Sequence, residues 1–361
     1  MSWIILGSIG VSLVLSLLAT PVSKAMAFRF GLLDRPGHHK KHAAPTPLLG
    51  GSAVLMAVLV PALGVLALAG EWAAWGVPDW MPDLVKVHAP GAAARASQAL
   101  MIFLGAVALH VMGIIDDRRA LGPWVKLGAQ LLVAVGVVVF AEVRILTALG
   151  SAGSIAVSIL WLVVIINSLN FLDNMDGLAT GVGAICCLAL LGAALSTGQL
   201  FVAGLAGLLL GALLGFLPTN YPPAKQFLGD GGSLVIGYLL GVLSCLTTYV
   251  RPGETYYTYG MFVPLVLLAV PLYDTASVML IRLREGRNPM VGDRRHFSHR
   301  LLKRGMSVRT ALLTIYLCTA ATAVGATLLP RVETTGAILI FCQTLAIVSV
   351  IGLLESTGTK P

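Results

Sequence analysis

Aspartates and asparagines grouped in short polar segments are the residues of this sequence best suited to chemistry. One segment carries the adjacent pair Asp116 and Asp117, and a second reads NSLNFLDNMDG over residues 167–177. Carboxylate and amide oxygens are preferred ligands of hard divalent cations, and such cations in turn hold phosphates. One aspartate beside an apolar run could simply cap a helix, but several in separate segments predict a metal-dependent site for a phosphorylated substrate.

The spacing within these two segments refines the prediction. Neighbouring residues on a helix point about 100° apart, so Asp116 and Asp117 can serve two tasks, one toward a metal or nucleophile and one toward a structural partner. In the second segment, polar residues recur at every third position, which keeps them on adjoining faces of a helix or tight turn. These residues are Asn167, Asn170, Asp173 and Asp176. An N-cap role would explain Asp176 but not the other three.

A third polar segment reads NYPPAKQFLGDGGS over residues 220–233. Pro222 and Pro223 should end the preceding helix, and Asp230 opens the next apolar run. We expect the glycines after Asp230 to admit a ligand close to the backbone, at a helix N-terminus that favours phosphate. For Phe227, whose ring we expect to be exposed, anchoring at the membrane interface and stacking on a base are equally open.

Two further segments are rich in basic residues. Residues 286–305 include Arg295, His296 and His299, a cluster able to grip pyrophosphate oxygens. Anchoring of positive charge at the membrane face explains most of the arginines, but not two histidines three residues apart, which would be neighbours on one helix face. Residues 34–51 carry Lys40 and His42 and hold too many prolines and glycines for a long helix.

The elements that must position these residues are apolar helices. The 361 residues are 57% hydrophobic and only 11% charged, with a mean hydropathy of +0.89, which leaves too little charge to cover a water-facing surface. A membrane-spanning helix needs about 20 apolar residues, and the chain has about eleven such runs. They lie near residues 3–21, 48–70, 98–115, 124–141, 153–171, 178–196, 200–217, 232–250, 260–283, 309–329 and 334–354. The sequence therefore predicts an all-α polytopic membrane protein, a bundle of about 11 transmembrane helices forming a single domain over residues 1–361.

The distribution of basic residues predicts the orientation of the bundle. When the connecting segments are assigned alternately to the two sides, 19 of the 24 Lys and Arg residues fall on one side, which the positive-inside rule makes cytoplasmic. The N-terminus is then outside, the first span is retained, and the C-terminus is cytoplasmic. The net charge of +8 follows from basic loops that face anionic lipid and substrate, so no nucleic-acid partner is expected.

Together the five segments resemble the polyprenyl-phosphate N-acetylhexosamine-1-phosphate transferase family, of which the phospho-MurNAc-pentapeptide translocases form a more distant branch. The family pattern DxPxxRKxHxxPxPxxGG is matched at residues 34–51, with His39 where the family has Arg. The paired aspartates, the NxxDxxDG stretch and the GDxGS ending follow in the family's order. The DxxHxHH pattern is matched by Asp293, His296 and His299, but Ser298 replaces its middle histidine, a departure that bears on any mechanism needing three imidazoles.

The resemblance implies an activity and its setting. A UDP-N-acetylhexosamine, with UDP-GlcNAc as the expected donor, would give its sugar 1-phosphate to undecaprenyl or another polyprenyl phosphate, releasing UMP. This would be the first membrane step of an envelope glycan pathway, such as lipopolysaccharide or another cell-wall polymer. The resemblance also implies an active-site cleft at the cytoplasmic face of the bacterial plasma membrane, a requirement for Mg2+ with Mn2+ as a substitute, and a homodimer in some members.

The resemblance also implies a role for each matched residue. Asp230 is the expected Mg2+ ligand, and Asp117 is a second candidate that, with Asp116, would position or deprotonate the lipid phosphate. Asp173 and Asp176 would order the site or contact the nucleotide. The remaining expectations are phosphate contacts from Lys126 and His296, uridine contacts from Asn220 and Phe227, and further substrate contacts from Lys40, His42, Asn170, Arg295 and His299.

Three other functions deserve comparison. A phospho-MurNAc-pentapeptide translocase shares the chemistry and differs in the sugar, although the HFSH and DRPGHHKKH segments are more similar to the GlcNAc-1-phosphate enzymes. An intramembrane prenyltransferase would use two aspartate-rich motifs and release pyrophosphate, and it has no counterpart to the GDGGS and HFSH segments. A transporter would place its polar groups near the bilayer midplane, often in paired repeats, whereas here the carboxylates cluster at one face and no internal repeat is visible.

Overall fold

The computed structural model describes residues 2–34, 45–249, 258–286 and 295–356, and within them the chain is almost entirely helical. The predicted all-α class is confirmed. In chain order, the helices are α1 Ser2–Phe30, α2 Gly50–Trp75, α3 Asp83–Ala94, α4 Ala96–Arg118, α5 Pro123–Phe140, α6 Gly150–Leu172, α7 Leu178–Ser196, α8 Leu200–Asn220, α9 Asp230–Leu246, α10 Val263–Leu267, α11 Ala269–Arg284, α12 Phe297–Lys303, α13 Val308–Leu328 and α14 Thr334–Ser356. Two short strands, β1 Leu33–Asp34 and β2 Thr46–Pro47, pair antiparallel.

Nine helices in the described part of the chain are long and apolar enough to cross a membrane, and the count is ten if one bent pair is a single span. That pair consists of Tyr259–Leu267 and Ala269–Arg284, which meet at 66°. The predicted run at residues 232–250 corresponds to α9, which has only 17 residues and is not counted among these spans. The finding is therefore nine or ten candidate spans rather than eleven, and α3, which the hydropathy pattern left in a loop, is an additional helix.

Helix α9 is short because it lies at the centre of the bundle. It packs against α2, α4, α6, α7 and α8, and every residue from Gly231 to Ser244 is buried. A helix surrounded by other helices needs no lipid-facing surface, so its length is not set by the thickness of the bilayer. The N-terminus of α9 carries Asp230, and the central helix therefore fixes the position of that carboxylate.

Small residues let α1 and α8 approach each other closely, as is common between membrane helices. A Cβ atom on Gly211 would lie 2.2 Å from the Ile9 carbonyl oxygen, and one on Gly215 would lie 2.5 Å from the Leu13 carbonyl oxygen. At the same contact, the Ser12 hydroxyl donates to the Leu208 carbonyl at 2.6 Å. The glycines of α8 therefore lie in direct contact with the backbone of α1.

The segment around β2 connects the first two helices to the polar end of α9. The Phe227 amide donates to the Pro47 carbonyl at 2.9 Å, and the amides of Gly50 and Gly51 donate to the carbonyls of Phe227 and Leu228 at 3.0 and 2.8 Å. These bonds hold the start of α2 against the segment that leads into Asp230. Lys40 and His42 lie outside the described residues.

Candidate active site

The candidate site is built around an ammonium group that lies between two carboxylates. Gly122 and Pro123 begin α5, since proline is favoured in the first turn of a helix, and this places Lys126 near the end of α4. The Lys126 Nζ lies 2.7 Å from Asp116 Oδ2 and 2.7 Å from Asp230 Oδ2. The side chains of Lys126 and Asp230 keep 22% and 29% of their surface exposed, so a ligand can reach this cluster.

Asp117 faces a different partner from Asp116. Its Oδ1 accepts a hydrogen bond from the Asp230 amide at 3.0 Å, and its Oδ2 accepts a long one from the Gly231 amide at 3.5 Å. A carboxylate at a helix N-terminus satisfies free amide groups and interacts favourably with the helix dipole. The paired aspartates thus face different partners, as their spacing predicts: Asp116 faces the Lys126 ammonium and Asp117 faces the start of α9. A contact of Asp116 with a metal or nucleophile stays a prediction.

Asn170 completes the contacts of Asp230. Its Nδ2 donates to Asp230 Oδ1 at 3.0 Å and to Ser233 Oγ at 2.9 Å. Asn167, one turn earlier on α6, has another function, because its Nδ2 donates to Gln130 Oε1 at 2.6 Å and so joins α6 to α5. Of the three asparagines in the NSLNFLDNMDG segment, Asn170 is the one whose described hydrogen bonds reach the carboxylate cluster, whereas Asn174 bonds the Phe171 carbonyl and Ser298.

Asp173 and Asp176 lie in the turn between α6 and α7. Burial raises the pKa of Asp173 well above its ordinary value, and the negative charges of Asp230, Asp117 and Asp176 raise it further. Asp176 is not the N-cap that its position suggests, because Gly177 holds that place with a φ of 75°, a conformation that favours glycine. Its Oδ2 instead accepts from the Ala224 amide at 2.9 Å, which ties this turn to the segment before Asp230.

The glycines beside Asp230 admit neighbouring helices rather than a ligand. A Cβ atom on Gly113 of α4 would lie 2.3 Å from the Gly231 nitrogen, and one on Gly51 of α2 would lie 2.3 Å from the Gly232 Cα. The expectation that these glycines bring a ligand to the backbone is therefore corrected. The close approaches of Gly113 and Gly51 are to backbone atoms of Asp230, Gly231 and Gly232, and they bring the first turn of α9 directly against α2 and α4.

His110 belongs to the same junction, in keeping with the structural role that its position inside a span suggests. Its Nδ1 lies 2.8 Å from the Gly231 carbonyl oxygen, and its Nε2 lies 3.0 Å from Ser52 Oγ. The ring therefore bridges α2, α4 and α9. Neither this bridge nor the contact of Gly113 with α9 belongs to a recognisable sequence motif. The one signal in the sequence was the presence of a histidine, His110, within an apolar run.

Asn220 and Phe227, the two residues expected to contact uridine, lie in or beside the loop that leads into Asp230. Asn220 is buried, its Oδ1 accepts from Thr180 Oγ1 at 2.8 Å, and its Nδ2 donates to the Gln226 carbonyl at 3.1 Å. Both polar ends of this side chain are thus used to shape the loop before Asp230, which favours a positioning role over direct contact with a ligand. The Phe227 ring is half-buried rather than exposed.

The start of α12 is held in place by contacts of the three successive residues His296, Phe297 and Ser298. The Nδ1 atom of His296 lies 2.7 Å from Asp274 Oδ2, and the Phe297 amide donates to Asp274 Oδ1 at 2.9 Å. Ser298, which replaces the middle histidine of the pattern, is buried and donates to Asn174 Oδ1. Ser298 therefore connects α12 to the turn that carries Asp173.

Arg295 and His299, two other residues expected to contact substrate, lie on either side of His296 in the chain. Arg295 pairs with Glu285, and His299 is half-buried on α12. His296 precedes the first residue of α12 and has extended backbone angles, so the two histidines are not neighbours on one helix face as their spacing predicts. Asp293, the first residue of the pattern, lies outside the described residues.

The donor set of this site suits a magnesium ion. Among the residues that the structure describes, no three His, Cys, Asp or Glu side chains are arranged as a closed metal site. Mg2+ does not require one, because it keeps several waters and binds through one or two carboxylates together with substrate phosphates. Asp116 and Asp230 present their Oδ2 atoms to one cation, the Lys126 ammonium, and Mg2+ binding at these carboxylates stays a prediction.

The fold and the site together define a class of protein: an all-α polytopic membrane protein whose carboxylates, lysine and asparagine converge where several helix ends meet. A family model described as Glycosyl transferase family 4 matches residues 99–248, a range that contains the cluster from Asp116 to Asp230.

Relatives match most of the chain. It is 32% identical to a probable undecaprenyl-phosphate N-acetylglucosaminyl 1-phosphate transferase of Bacillus subtilis (strain 168), over 85% of this chain and 80% of that protein. It is 33% identical to a decaprenyl-phosphate N-acetylglucosaminephosphotransferase of Mycolicibacterium smegmatis, over 87% and 79%. It is 27% identical to the undecaprenyl-phosphate alpha-N-acetylglucosaminyl 1-phosphate transferase of Escherichia coli (strain K12), over 82% and 76%. The chain belongs to glycosyl transferase family 4, which confirms the resemblance found in the sequence.

Proposed function

We propose that this protein transfers N-acetylglucosamine 1-phosphate from UDP-N-acetylglucosamine to a polyprenyl phosphate in the bacterial plasma membrane. The observation that carries the proposal is the cluster of Asp116, Lys126, Asp230 and Asn170, gathered from four helices at one end of the bundle. The printed names of the relatives support it, because they describe the same transfer to undecaprenyl or decaprenyl phosphate.

In the proposed reaction, an oxygen of the lipid phosphate attacks the phosphorus that bears the sugar. A new P–O bond forms, the pyrophosphate bond to UMP breaks, and UMP leaves with the bonding electron pair. The second pKa of a phosphate monoester is about 6, so the attacking phosphate is already largely dianionic at neutral pH. Positioning and charge neutralisation should therefore contribute more than base catalysis.

The residues divide this work as follows. Lys126 and His296 hold phosphate oxygens, and Asp116 positions the lipid phosphate. Asp117 holds the first turn of α9 in place and so fixes the position of Asp230. Mg2+, bound by Asp230 with Asp116 or Asp117, would neutralise charge on the pyrophosphate during transfer. Asp173 and Asp176 order the adjoining turn, while Asn220 acts on the site only through the loop that it shapes.

We further propose that the site faces the cytoplasm, with eleven membrane-embedded segments, the N-terminus outside and the C-terminus inside. The support is the excess of basic residues on the side of the site. Exposed tryptophans fit two interfacial levels, with Trp3, Trp75 and Trp80 at the end of the bundle away from the site and Trp124 beside it. A homodimer is also expected from the family, and crosslinking in native membranes would test for it.

A membrane assay tests the proposed function. Vesicles containing the protein are supplied with undecaprenyl phosphate and UDP-N-acetylglucosamine, with and without Mg2+, and released UMP and lipid-linked sugar are quantified together. The proposal predicts both products in equal amounts, only when lipid and metal are present. A strong preference for UDP-MurNAc-pentapeptide would identify a translocase instead, and pyrophosphate release from a prenyl diphosphate would indicate a prenyltransferase.

A further inference from the structure

The structure contains a buried pair, Asp274 and His296, whose aspartate belongs to none of the matched motifs. Asp274 lies inside α11, five residues after its first residue Ala269, and its surface is 0% exposed. A buried carboxylate is costly unless it is paired and hydrogen-bonded, and this one is both. Its Oδ2 lies 2.7 Å from His296 Nδ1, and its Oδ1 accepts from the Phe297 amide at 2.9 Å.

This pairing determines how the imidazole is oriented. A carboxylate that faces Nδ1 and accepts hydrogen bonds keeps the proton on Nδ1, so the other nitrogen, Nε2, is the one presented outward. His296 Nε2 makes no hydrogen bond to any residue in the described ranges. It can therefore accept from a hydroxyl group when the ring is neutral, or donate to a phosphate oxygen when the ring is protonated.

The pair is also connected to the carboxylate cluster. The Phe171 ring meets the His296 ring edge-on, with centroids 5.9 Å apart. Phe171 directly follows Asn170, whose amide holds Asp230. One residue beyond Phe297, Ser298 bonds Asn174 in the turn that carries Asp173. The His296 ring is thus packed against the same end of α6 that supplies a contact to Asp230.

We propose that Asp274 is a positioning residue for the transfer reaction, which fixes the orientation and tautomer of His296 so that Nε2 faces the phosphates of the substrate. This inference rests on the proposed function. Asp274 itself contacts no substrate, and it acts only through His296.

Asp274→Asn tests this role with little change in shape. The amide oxygen can keep the bond from the Phe297 amide, but the amide nitrogen then faces His296 Nδ1. Two donors would oppose each other unless the ring moves its proton to Nε2, and Nε2 would then no longer accept a hydrogen bond. We expect turnover to fall on the order of 100-fold, a loss typical of a misplaced catalytic group, with membrane insertion and melting temperature close to wild type.

The decisive measurement is a double-mutant cycle with His296→Gln. If Asp274 acts through His296, Asp274→Asn should cost nothing further once the imidazole is gone, so the double variant should equal His296→Gln alone. A purely structural role instead predicts that Asp274→Asn lowers the melting temperature while the rate of the folded protein stays near wild type. Asp83→Asn, the same substitution at an exposed carboxylate of α3, is the matched control and should keep the wild-type rate.

Each outcome has a defined meaning. Wild-type turnover in Asp274→Asn, or multiplied losses in the double variant, would overturn the inference while leaving the proposed function intact. Absence of UMP release from folded wild-type protein would contradict the proposed function itself. If Asp274→Asn does not insert, Asp274→Glu replaces it, since the extra methylene displaces the carboxylate and its cost should also vanish in the His296→Gln background.

Discussion

Gly113→Ala is a single-methyl change whose effect can be worked out from the contact of α4 with α9. The added Cβ would lie 2.3 Å from the Gly231 nitrogen, 2.4 Å from the Gly231 Cα and 2.6 Å from the Asp230 carbonyl carbon. Ordinary contacts begin at 3.4 Å, and all three atoms are backbone atoms that cannot rotate away. The first turn of α9 must therefore move about 1 Å from α4.

A shift of that size acts on the candidate site. It would lengthen the 3.0 Å bond from the Asp230 amide to Asp117, which lies on α4, and change the 2.7 Å contact between Asp230 and Lys126. Misplacement of a reacting group by about 1 Å can cost about 100-fold in rate. Stability should change less, because overpacking costs about 1–3 kcal/mol while replacing glycine within a helix gains about 1 kcal/mol.

We therefore expect Gly113→Ala to insert and melt near the wild-type temperature but to release UMP about 100 times more slowly. The matched control is Gly136→Ala on α5, where a Cβ would meet nothing within 4 Å, and this variant should keep its full rate. Turnover of Gly113→Ala equal to that of the control would refute the argument that this contact sets the position of Asp230.

Three further predictions concern the charged cluster. Asp230→Asn should abolish turnover in a protein that still inserts, and a rate near wild type in the membrane assay would remove this residue from the mechanism. Lys126→Met should lower the melting temperature by leaving the carboxylates of Asp116 and Asp230 facing each other, and Mg2+ should restore part of the loss; an unchanged melting curve would contradict this. Because the folded-state pKa of Asp173 is raised, its ionisation destabilises the fold above the ordinary aspartate pKa of about 4. Asp173→Asn should therefore raise the melting temperature at pH 8 and have no effect near pH 3, and the opposite pH trend would show that the carboxylate is stabilised instead.

Local patterns predicted much of this architecture. The apolar runs located the helices because chain segments in hydrocarbon must satisfy their own backbone hydrogen bonds. The spacing of Asp116 and Asp117 predicted that the two carboxylates face different partners. Each of these inferences depends on residues near one another in the sequence, where helix geometry fixes which side chains share a face.

The errors concern contacts between distant parts of the chain. Gly113 contacts Gly231 and Asp274 contacts His296, but neither pairing follows from local periodicity, because helix packing sets it. The expectation that the glycines after Asp230 admit a ligand is wrong for the same reason, because α2 and α4 lie against these glycines. The sequence predicted Asp176 as the N-cap of α7. In the structure Gly177, with a φ of 75°, is the N-cap, and the Asp176 carboxylate accepts a hydrogen bond from the Ala224 amide.

The most direct test of the proposed reaction follows the phosphorus atom that bears the sugar. UDP-N-acetylglucosamine labelled with 32P at that phosphate is incubated with undecaprenyl phosphate and the wild-type protein in membranes. Sugar 1-phosphate transfer predicts that the label moves into the organic-soluble lipid while unlabelled UMP appears in the water phase. Label that stays in water as UDP, with unlabelled sugar on the lipid, would contradict the account.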